Sequence, residues 1–321
     1  MSGHIVSIGE ALVDMIETTG DSASEGTHSQ AAQPHYMAAW GGSPMNVAVG
    51  AARLGSPVEF AGSFAADALG AKLKAFLSEQ GVGVDLSVDV GEINTTIAMT
   101  SFVNAEPQYA FYAAPASYGL LPPATANRRQ VASAAVVHTG SLVVLEDMTF
   151  EAVSECFSVA EGIKTFDPNV RPKMVSDWDE YRRRLGFLIH QSDFVKYSIE
   201  DIEAAYPAQS ADSIAWATLD GPTQAVLVTR GGEPVTLYSH EQQTDIPLHG
   251  VLPVIDTTGA GDATMAAIIH QLAAHGVPAD HQGWQDFVSK ALVVAGICTS
   301  RRGGAIAMPS AEEVIAAGAH L

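Results

Sequence analysis

The residues best suited to catalysis or ligand binding form the string Asp-Thr-Thr-Gly-Ala-Gly-Asp at positions 256–262. The small and apolar residues that follow, as far as Gly276, predict a helix that ends at that glycine. The glycines of the string therefore lie at a helix N-terminus, where free backbone amides and the helix dipole attract phosphate or developing negative charge. The segment predicts an anion-binding turn that uses no lysine.

Asp262 lies just inside this turn, where a carboxylate would repel the phosphate that the turn is shaped to hold. Such a residue makes sense as a general base, which takes the proton from a hydroxyl that attacks the phosphoryl group. The plainer alternative is an aspartate that favours the first helical turn because of the dipole, after a flexible glycine loop. These residues alone do not decide between a general base and an aspartate that is favoured by the helix dipole.

Three other phosphate-binding patterns are missing from the sequence. Position 264, where a dinucleotide fingerprint would have Gly or Ala, is Thr264. The chain also contains no GxxxxGK[ST] string and no HRD or DFG string. The NAD-linked, P-loop and protein-kinase classes are therefore disfavoured.

A second glycine cluster lies at positions 40–55, in the string WGGSPMNVAVGAARLG. Gly41 and Gly42 before Pro44 predict a turn, and Asn46 enters a helix of small residues. Exposed amides beside a carboxamide suit the hydroxyls of a polyol. An alanine-rich helix without a ligand is the alternative reading.

Short apolar runs alternate with segments of helical periodicity, which predicts a mostly parallel sheet with helices on both faces. Helical spacing is clear in two sets of residues: Leu69, Leu73, Phe76, Leu77 and, later, Trp178, Tyr181, Leu185, Leu188. Ligands of such sheets bind at the carboxyl ends of the strands. Here the apolar runs end in polar or glycine-rich clusters: Gly9-Glu10, Asp167-Pro168-Asn169, Lys196-Tyr197-Ser198 and Thr229-Arg230-Gly231-Gly232.

Two segments interrupt the alternation, at about residues 15–40 and 93–115. The second has β-branched and aromatic residues at strand-like spacing. A small β element that covers the site would explain both segments, and a loop plus an ordinary hairpin is the alternative. Since we see no repeat and no linker, we expect one domain over residues 1–321.

Composition excludes several classes of protein. The formal net charge is −20, so the chain lacks the basic surface that nucleic acids and anionic membranes require. Hydrophobic residues make up 47% of the sequence and charged residues 16%, which indicates a globular protein with a large core. No apolar run is long enough to span a bilayer and no signal peptide is visible, so we expect a cytoplasmic protein. Cys156 and Cys298 are expected to be buried thiols.

Together, these motifs resemble the PfkB family of carbohydrate kinases, also called the ribokinase family. The resemblance extends in order through GEALVDMI (9–16), GGSPMN (41–46), GSFAADALG (62–70), FDPNVRP (166–172), FVKYS (194–198), VLVTRGG (226–232), DTTGAGD (256–262) and TSRRGGAIAMP (299–309). It implies a three-layer α/β/α fold with a mostly parallel central sheet and a small β lid. The lid, which often forms a dimer surface in the family, implies a homodimer.

The resemblance also implies roles for individual residues. Asp262 matches the catalytic base, and the amides of Gly259, Ala260 and Gly261 match the hole for the transferred γ-phosphate of ATP. Matches to sugar-binding positions are Asp14, Gly41, Gly42 and Asn46. Matches to the nucleotide side are Thr229, Gly231 and Gly232, with Lys196, Ser198 and Arg230 nearby. Asp256 and Thr258 are similar to residues that hold a monovalent cation, usually potassium.

Some positions depart from the family pattern. The Asn-x-x-Glu of the magnesium and phosphate region is Ser198-Ile199-Glu200-Asp201 here, so either Glu200 or Asp201 could reach magnesium through water. Two glycines of the pattern are replaced by Ala65 and Pro234. We expect each to change a turn rather than the chemistry.

The motifs resemble the branch of fructokinases and 2-keto-3-deoxygluconate kinases. Arg171 could bind a substrate carboxylate, or it could be a structural partner of Asp167. Related sugar-acid kinases often have an arginine where this chain has Ala113, so fructose ranks above 2-keto-3-deoxygluconate and ribosides. Three lid aromatics could stack on the sugar or form the lid core: Tyr109, Phe111 and Tyr112. A silent sugar or nucleotide sensor is the alternative from another class.

The acidic composition poses a problem for a protein that binds ATP, which is itself a polyanion. Salt screens the interaction between charges that are more than about 10 Å apart. The charges close to the bound phosphates, rather than the net charge, therefore determine whether ATP can bind. We expect this local field to come from helix-terminal amides, magnesium and a few cations such as Lys196 and Arg230.

Overall fold

Three β-sheets, of nine, four and two strands, and a set of flanking helices make up a computed structural model of the protein, which describes residues 3–18, 35–103, 106–112, 114–123, 128–248 and 252–321. The strands are β1 (Ile5–Ile8), β2 (Leu12–Thr18), β3 (His35–Gly41), β4 (Val58–Ala61), β5 (Ser63–Ala65), β6 (Val82–Gly83), β7 (Val88–Val90), β8 (Ile97–Val103), β9 (Glu106–Tyr112), β10 (Val136–Gly140), β11 (Ile163–Asp167), β12 (Phe194–Ser198), β13 (Ala225–Arg230), β14 (Glu233–Ser239) and β15 (Gln242–Ile246). The α-helices are α1 (Ser43–Arg53), α2 (Ala68–Glu79), α3 (Arg128–Ala132), α4 (Asp147–Val159), α5 (Trp178–Ile189), α6 (Ile199–Ala205), α7 (Ala211–Leu219), α8 (Ala260–His275), α9 (His281–Thr299) and α10 (Ala311–Ala316).

The large sheet has the order β15-β14-β13-β12-β11-β10-β1-β4-β6. From β13 to β6 each neighbouring pair is parallel, whereas β14 and β15 add an antiparallel edge. Strands β1 and β10 are buried along their whole length, as expected for parallel strands covered on both faces. The parallel arrangement brings the carboxyl ends of β1, β10, β11, β12 and β13 to one edge.

Each face of the large sheet is covered by its own apolar core. One core contains residues of α1, α2, α8, α9 and α10, such as Met45, Ile268 and Trp284. The other contains residues of α3 to α7, such as Val153 and Leu185. This arrangement confirms the predicted three-layer α/β/α fold, and α2 and α5 form where the helical spacing predicts them.

The small sheet has the order β3-β2-β8-β9, with β2 parallel to β8 and the outer pairs antiparallel. Its strands come from the two segments that interrupt the β/α alternation. Only residues 9–11 separate β1 from β2, so the small sheet starts at the carboxyl end of the large one. Residues 19–34, Ala113 and the side chain of Tyr109 lie outside the described part of the chain.

Both thiols are buried and free, which confirms the expectation for Cys156 and Cys298. Burial raises the pKa of Cys156 to about 11 and that of Cys298 to about 12, so neither thiol is reactive at neutral pH. In the part of the chain that the structure describes, no helix has the length and apolar character to cross a membrane.

Candidate active site

Helices α1 and α8 pack side by side and both begin at the edge where the parallel strands end. A Cβ on Gly50 of α1 would lie 2.6 Å from the Cβ of Ala266 in α8, so only glycine allows this close approach. The close packing brings the two helix N-termini together. The two glycine clusters of the sequence therefore meet in one site.

The predicted anion-binding turn has the expected local structure. Gly259 has a left-handed φ of 82° and directly precedes α8, which runs from Ala260 to His275 and is followed by Gly276. The backbone of Gly304 packs against this glycine, since a Cβ there would lie 3.0 Å from the Gly304 Cα. The Ala260 amide donates to the Thr257 carbonyl at 3.2 Å.

Asp262 lies in the first turn of α8 and is only 7% exposed. Ser43 Oγ donates to Asp262 Oδ1 at 2.7 Å, and Asn46 Nδ2 donates to Asp262 Oδ2 at 2.8 Å. Burial raises the pKa of this carboxyl, and the two donated hydrogen bonds act in the opposite direction. The result is a carboxylate with a fixed orientation and a raised proton affinity, as a general base requires.

A buried ion pair lies beside the turn. Lys196 Nζ is 2.8 Å from Asp167 Oδ2, and both side chains are almost completely buried. A Cβ on Gly261 would lie 3.3 Å from the same Nζ atom. Burial would lower the pKa of Lys196, but the charges of Asp167, Asp201 and Asp262 raise it above its usual value. A charged ammonium group therefore adjoins the anion-binding turn.

The predicted sugar-binding residues gather on the other side of Asp262. Gly42 precedes α1, and Asn46 lies one turn into it. Asp14, on β2, packs against Gly41 so closely that a Cβ on this glycine would lie 2.0 Å from Asp14 Oδ2. Burial raises the pKa of Asp14 to about 6, with the charge of Arg171 opposing the shift and that of Asp262 adding to it.

Arg171 is exposed, and its guanidinium lies close enough to Asp14 and Glu10 to lower the pKa of both carboxyls. Its Nη1 atom donates to Asn169 Oδ1 at 2.6 Å. The alternative that Arg171 is the partner of Asp167 is wrong, because Asp167 pairs with Lys196.

Ser198 and Asp201 form a capping box at the start of α6. Asp201 Oδ2 accepts from the Ser198 amide at 2.7 Å, and Oδ1 accepts from the Val170 amide at 2.6 Å. The Ser198 hydroxyl accepts in turn from the Asp201 amide at 3.1 Å. Glu200, one residue earlier than Asp201, is exposed. Asp201 thus fixes the start of α6 and the loop at Val170.

The predicted nucleotide loop forms the turn between β13 and β14. Thr229 Oγ1 donates to the Tyr197 carbonyl at 3.3 Å, and Gly231 has a φ of 58° beside the exposed Gly232. Arg230 donates to Thr236 Oγ1 within this hairpin. Arg230 and Lys196 are therefore held by different partners.

The loop that carries Asp256 is tied to the loop after α9. Asp256 Oδ1 accepts from the Thr258 amide at 2.9 Å, and Oδ2 accepts from the Gly303 amide at 3.0 Å. Burial would raise the pKa of Asp256, but these two bonds hold it below its usual value. Over the described ranges, no group of three or more His, Cys, Asp or Glu side chains is placed to hold a metal ion.

Three site residues have no role in the sequence prediction: Glu10, Ser43 and Asp167. Glu10 and Asp167 belong to the polar clusters at strand ends, so the carboxyl-end rule already pointed to them. Ser43 lies inside the second glycine cluster, but its contact with Asp262 spans 219 residues. No local pattern could have shown that contact.

The chain is similar to known carbohydrate kinases along nearly its whole length. The pattern of the pfkB family carbohydrate kinases matches residues 2–311, and the chain belongs to that family. Fructokinase-2 of Solanum habrochaites is 28% identical over 326 residues, which cover 98% of this chain and 95% of that protein.

Two solved structures show the same fold. The fructokinase of Xylella fastidiosa with bound ATP has a TM-score of 0.88 and 26% identity, over 99% of this chain and 98% of that one. The aminoimidazole riboside kinase of Salmonella enterica has a TM-score of 0.81 at 20% identity, over 99% and 100% of the chains. The fold is therefore ribokinase-like.

Proposed function

We propose that the protein is an ATP-dependent fructokinase, which transfers the γ-phosphoryl group of ATP to a primary hydroxyl of fructose. The observation that carries the proposal is the buried Asp262 carboxylate, held by Ser43 and Asn46 beside the turn at 259–261. A base next to an anion-binding helix terminus is the arrangement that phosphoryl transfer to an alcohol requires.

The chain's own residues divide the reaction between them. Asp14, Asn46 and the backbone at Gly41 and Gly42 bind sugar hydroxyls, and Asp262 takes the proton from the attacking hydroxyl. The sugar oxygen forms the new bond to the γ-phosphorus as the bond to the β-phosphate oxygen breaks, so ADP leaves. The amides of Gly259, Ala260 and Gly261 stabilise charge on the transferred group. Because the Ala260 amide already donates to Thr257, we expect the two glycine amides to contribute more.

The local field then accounts for binding of a polyanion by an acidic protein. Lys196 places a charged ammonium beside Gly261, and the N-terminus of α8 adds its dipole. The guanidinium of Arg230 donates to the neutral hydroxyl of Thr236 and so keeps its charge, and we propose that it adds to this field from the nucleotide loop. We propose that Thr229, Gly231 and Gly232 lie under the nucleotide.

Magnesium fits this site as a companion of the nucleotide phosphates, since it is usually held by one or two carboxylates plus substrate phosphates. Both Asp201 oxygens accept backbone amides, whereas Glu200 is exposed, so we assign the water-mediated contact to Glu200. When bound, magnesium neutralises charge on the phosphates. Excess chelator is expected to abolish turnover, and unchanged turnover in chelator would contradict this assignment.

A monovalent cation fits the loop at Asp256 and Thr258. The lowered pKa of Asp256 keeps this carboxylate charged, and the loop adjoins the start of α8. We propose that potassium, bound here, supports the turn. A rate that is equal with potassium and with an inert large cation would contradict this role.

Fructose is the proposed substrate, because the relative in Solanum habrochaites and the structure from Xylella fastidiosa are both fructokinases. One observation favours 2-keto-3-deoxygluconate as the second candidate: the Arg171 guanidinium lies near Asp14 and could bind a carboxylate. Identification of the product by ³¹P NMR tests the choice. We expect a phosphate ester on a primary carbon of fructose; phosphorylation of the acid alone would exclude fructokinase activity.

Ribose and ribosides rank below fructose and 2-keto-3-deoxygluconate as candidate substrates. The rival from another class is a sensor that binds sugar or nucleotide without reaction. The intact Asp262 and its turn argue against it, and sugar binding without ADP release in magnesium and potassium would support it.

Two further parts of the proposal concern the assembly and its location. We propose a homodimer formed through the small sheet, where Tyr112 on the outer strand β9 is 60% exposed. A monomer mass by light scattering would contradict it. We propose a cytoplasmic location, which agrees with two unpaired thiols.

A further inference from the structure

Glu10 is a buried carboxyl group at the carboxyl end of β1 that the reaction described above does not use. It is only 1% exposed. Its Oε1 atom accepts a hydrogen bond from the Ser43 amide at 3.0 Å, and the Ser141 side chain also bonds to the carboxyl. Among the described residues, no partner occupies Oε2.

The Glu10 contact lies at the N-terminus of α1, which has no cap of its own. Gly42 is the N-cap residue and has no side chain to accept a helix amide. Glu10 supplies that acceptor from the loop between β1 and β2, and it takes the amide of Ser43, the first residue of the helix. The carboxyl therefore fixes where α1 begins.

The same helix turn carries both donors that orient the base. Ser43 gives its amide to Glu10 and its hydroxyl to Asp262, and Asn46 follows three residues later. We propose that Glu10 is a positioning residue: by fixing the Ser43 amide, it holds the donors that orient the Asp262 carboxylate. This inference rests on the proposed role of Asp262 as the base.

The consequence for Asp262 can be measured as a proton affinity. Without the Ser43 hydroxyl, one carboxylate oxygen in a buried site loses its partner, and the pKa of Asp262 rises. A hydrogen bond to a charged group corresponds to about one pH unit. The titratable or charged groups that interact with this carboxyl are Asp14, Asp167, Lys196 and Cys298, and all are unchanged in the variants below.

The first experiment measures kcat as a function of pH. It follows the acid limb, where kcat falls because the proposed base Asp262 gains a proton. Ser43→Ala keeps the amide bond to Glu10 and is expected to move the limb up by about one unit. Glu10→Met has a similar length but no acceptor, and we expect a shift in the same direction. Glu10→Gln keeps an acceptor for the Ser43 amide and is expected to restore the wild-type limb.

A double mutant shows whether Glu10 acts through Ser43. If it does, Glu10→Met adds no further shift in the Ser43→Ala background, because the donor is already gone. Additive shifts would overturn the proposal, and so would a loss in Glu10→Gln equal to that in Glu10→Met. Thr139→Val is the matched control, since it removes a buried bond to the Ile8 carbonyl at the same strand ends. It is expected to leave the limb unchanged.

A measurement without turnover separates this inference from the proposed function. The titration of the Asp262 carboxyl carbon, followed by ¹³C NMR in the unliganded protein, should shift upward in Ser43→Ala and Glu10→Met. If Asp262→Asn keeps its activity, the proposed base is wrong, yet the titration still decides the Glu10 contact. An unmoved titration in both variants overturns the positioning role. If Glu10→Met does not fold, Glu10→Ala is measured instead with the same expected result.

Discussion

Replacement of Asp262 by asparagine separates catalysis from folding in this site. The new carboxamide has nearly the same shape, so its oxygen can accept from Asn46 Nδ2 and its nitrogen can donate to Ser43 Oγ. Both hydrogen bonds of the wild-type side chain, at 2.7 and 2.8 Å, are therefore kept. What is lost is the ability to accept a proton. Since general-base catalysis contributes about 10²–10⁴-fold, we expect kcat to fall by that factor.

The stability of the Asp262→Asn variant is not expected to fall with its kcat. Burial raises the pKa of Asp262, which means that folding disfavours its charged form. Its contribution to stability is therefore lost as the pH rises through the folded-state pKa, and at neutral pH the charge is a cost. Asp262→Asn removes that cost, so the melting temperature should stay equal or rise. Such a trade between stability and activity is common at catalytic groups.

The assay is coupled ADP release at saturating fructose and ATP, with the melting temperature measured on the same samples. The matched control is Asp193→Asn, which alters an aspartate that accepts from the Lys164 amide at 2.8 Å. Asp193 precedes β12 and so lies at the opposite edge of the sheet. We expect its kcat to be unchanged. A fall of less than about tenfold in a folded Asp262→Asn protein would refute the role of Asp262 as the base.

Three further predictions concern the sugar side and the ion pair. Gly41→Ala forces Asp14 to move, so the KM for the sugar should rise about 10–100-fold, which corresponds to the loss of one hydrogen bond to a charged group. The control is Gly186→Ala on the exposed face of α5, which should change no KM. The sugar kcat/KM should fall below about pH 6, where Asp14 gains a proton; a profile that is flat to pH 5 would exclude this role. The same raised pKa makes the contribution of Asp14 to stability disappear as the pH rises from 3.8 to about 6. Lys196→Met leaves Asp167 buried and unpaired and should lower the unfolding free energy by about 3–5 kcal/mol. Addition of Asp167→Leu should restore stability but not activity. Denaturant titration measures the stability of both variants, and an ADP-release assay measures their activity.

Much of the site could be predicted from the sequence because its chemistry is local. The turn before α8 needs only consecutive glycines and a helix that follows them, and both can be read from one segment. The same holds for Gly41, Gly42 and Asn46, which follow closely in the sequence from the end of β3 into the first turn of α1. Alternation of apolar runs likewise predicts the parallel sheet, because each strand is buried on both faces.

The rest depends on contacts between distant segments. The position of Lys196, paired with Asp167 and next to Gly261, depends on the register of β11 and β12, which no local pattern records. Arg230 turns back onto its hairpin because a bulge between Val228 and Arg230 shifts the pairing with β14. The capping role of Glu10 arises only when β1 and α1 are in place.

The proposed function makes the protein a metal-dependent sugar kinase with fructose as its substrate. The most direct measurement is ADP release with fructose, 2-keto-3-deoxygluconate, ribose and nucleosides, each with magnesium and with excess chelator. We predict the highest kcat/KM for fructose and no turnover in chelator. ADP release with none of these compounds, or release that chelator leaves unchanged, would contradict the claim.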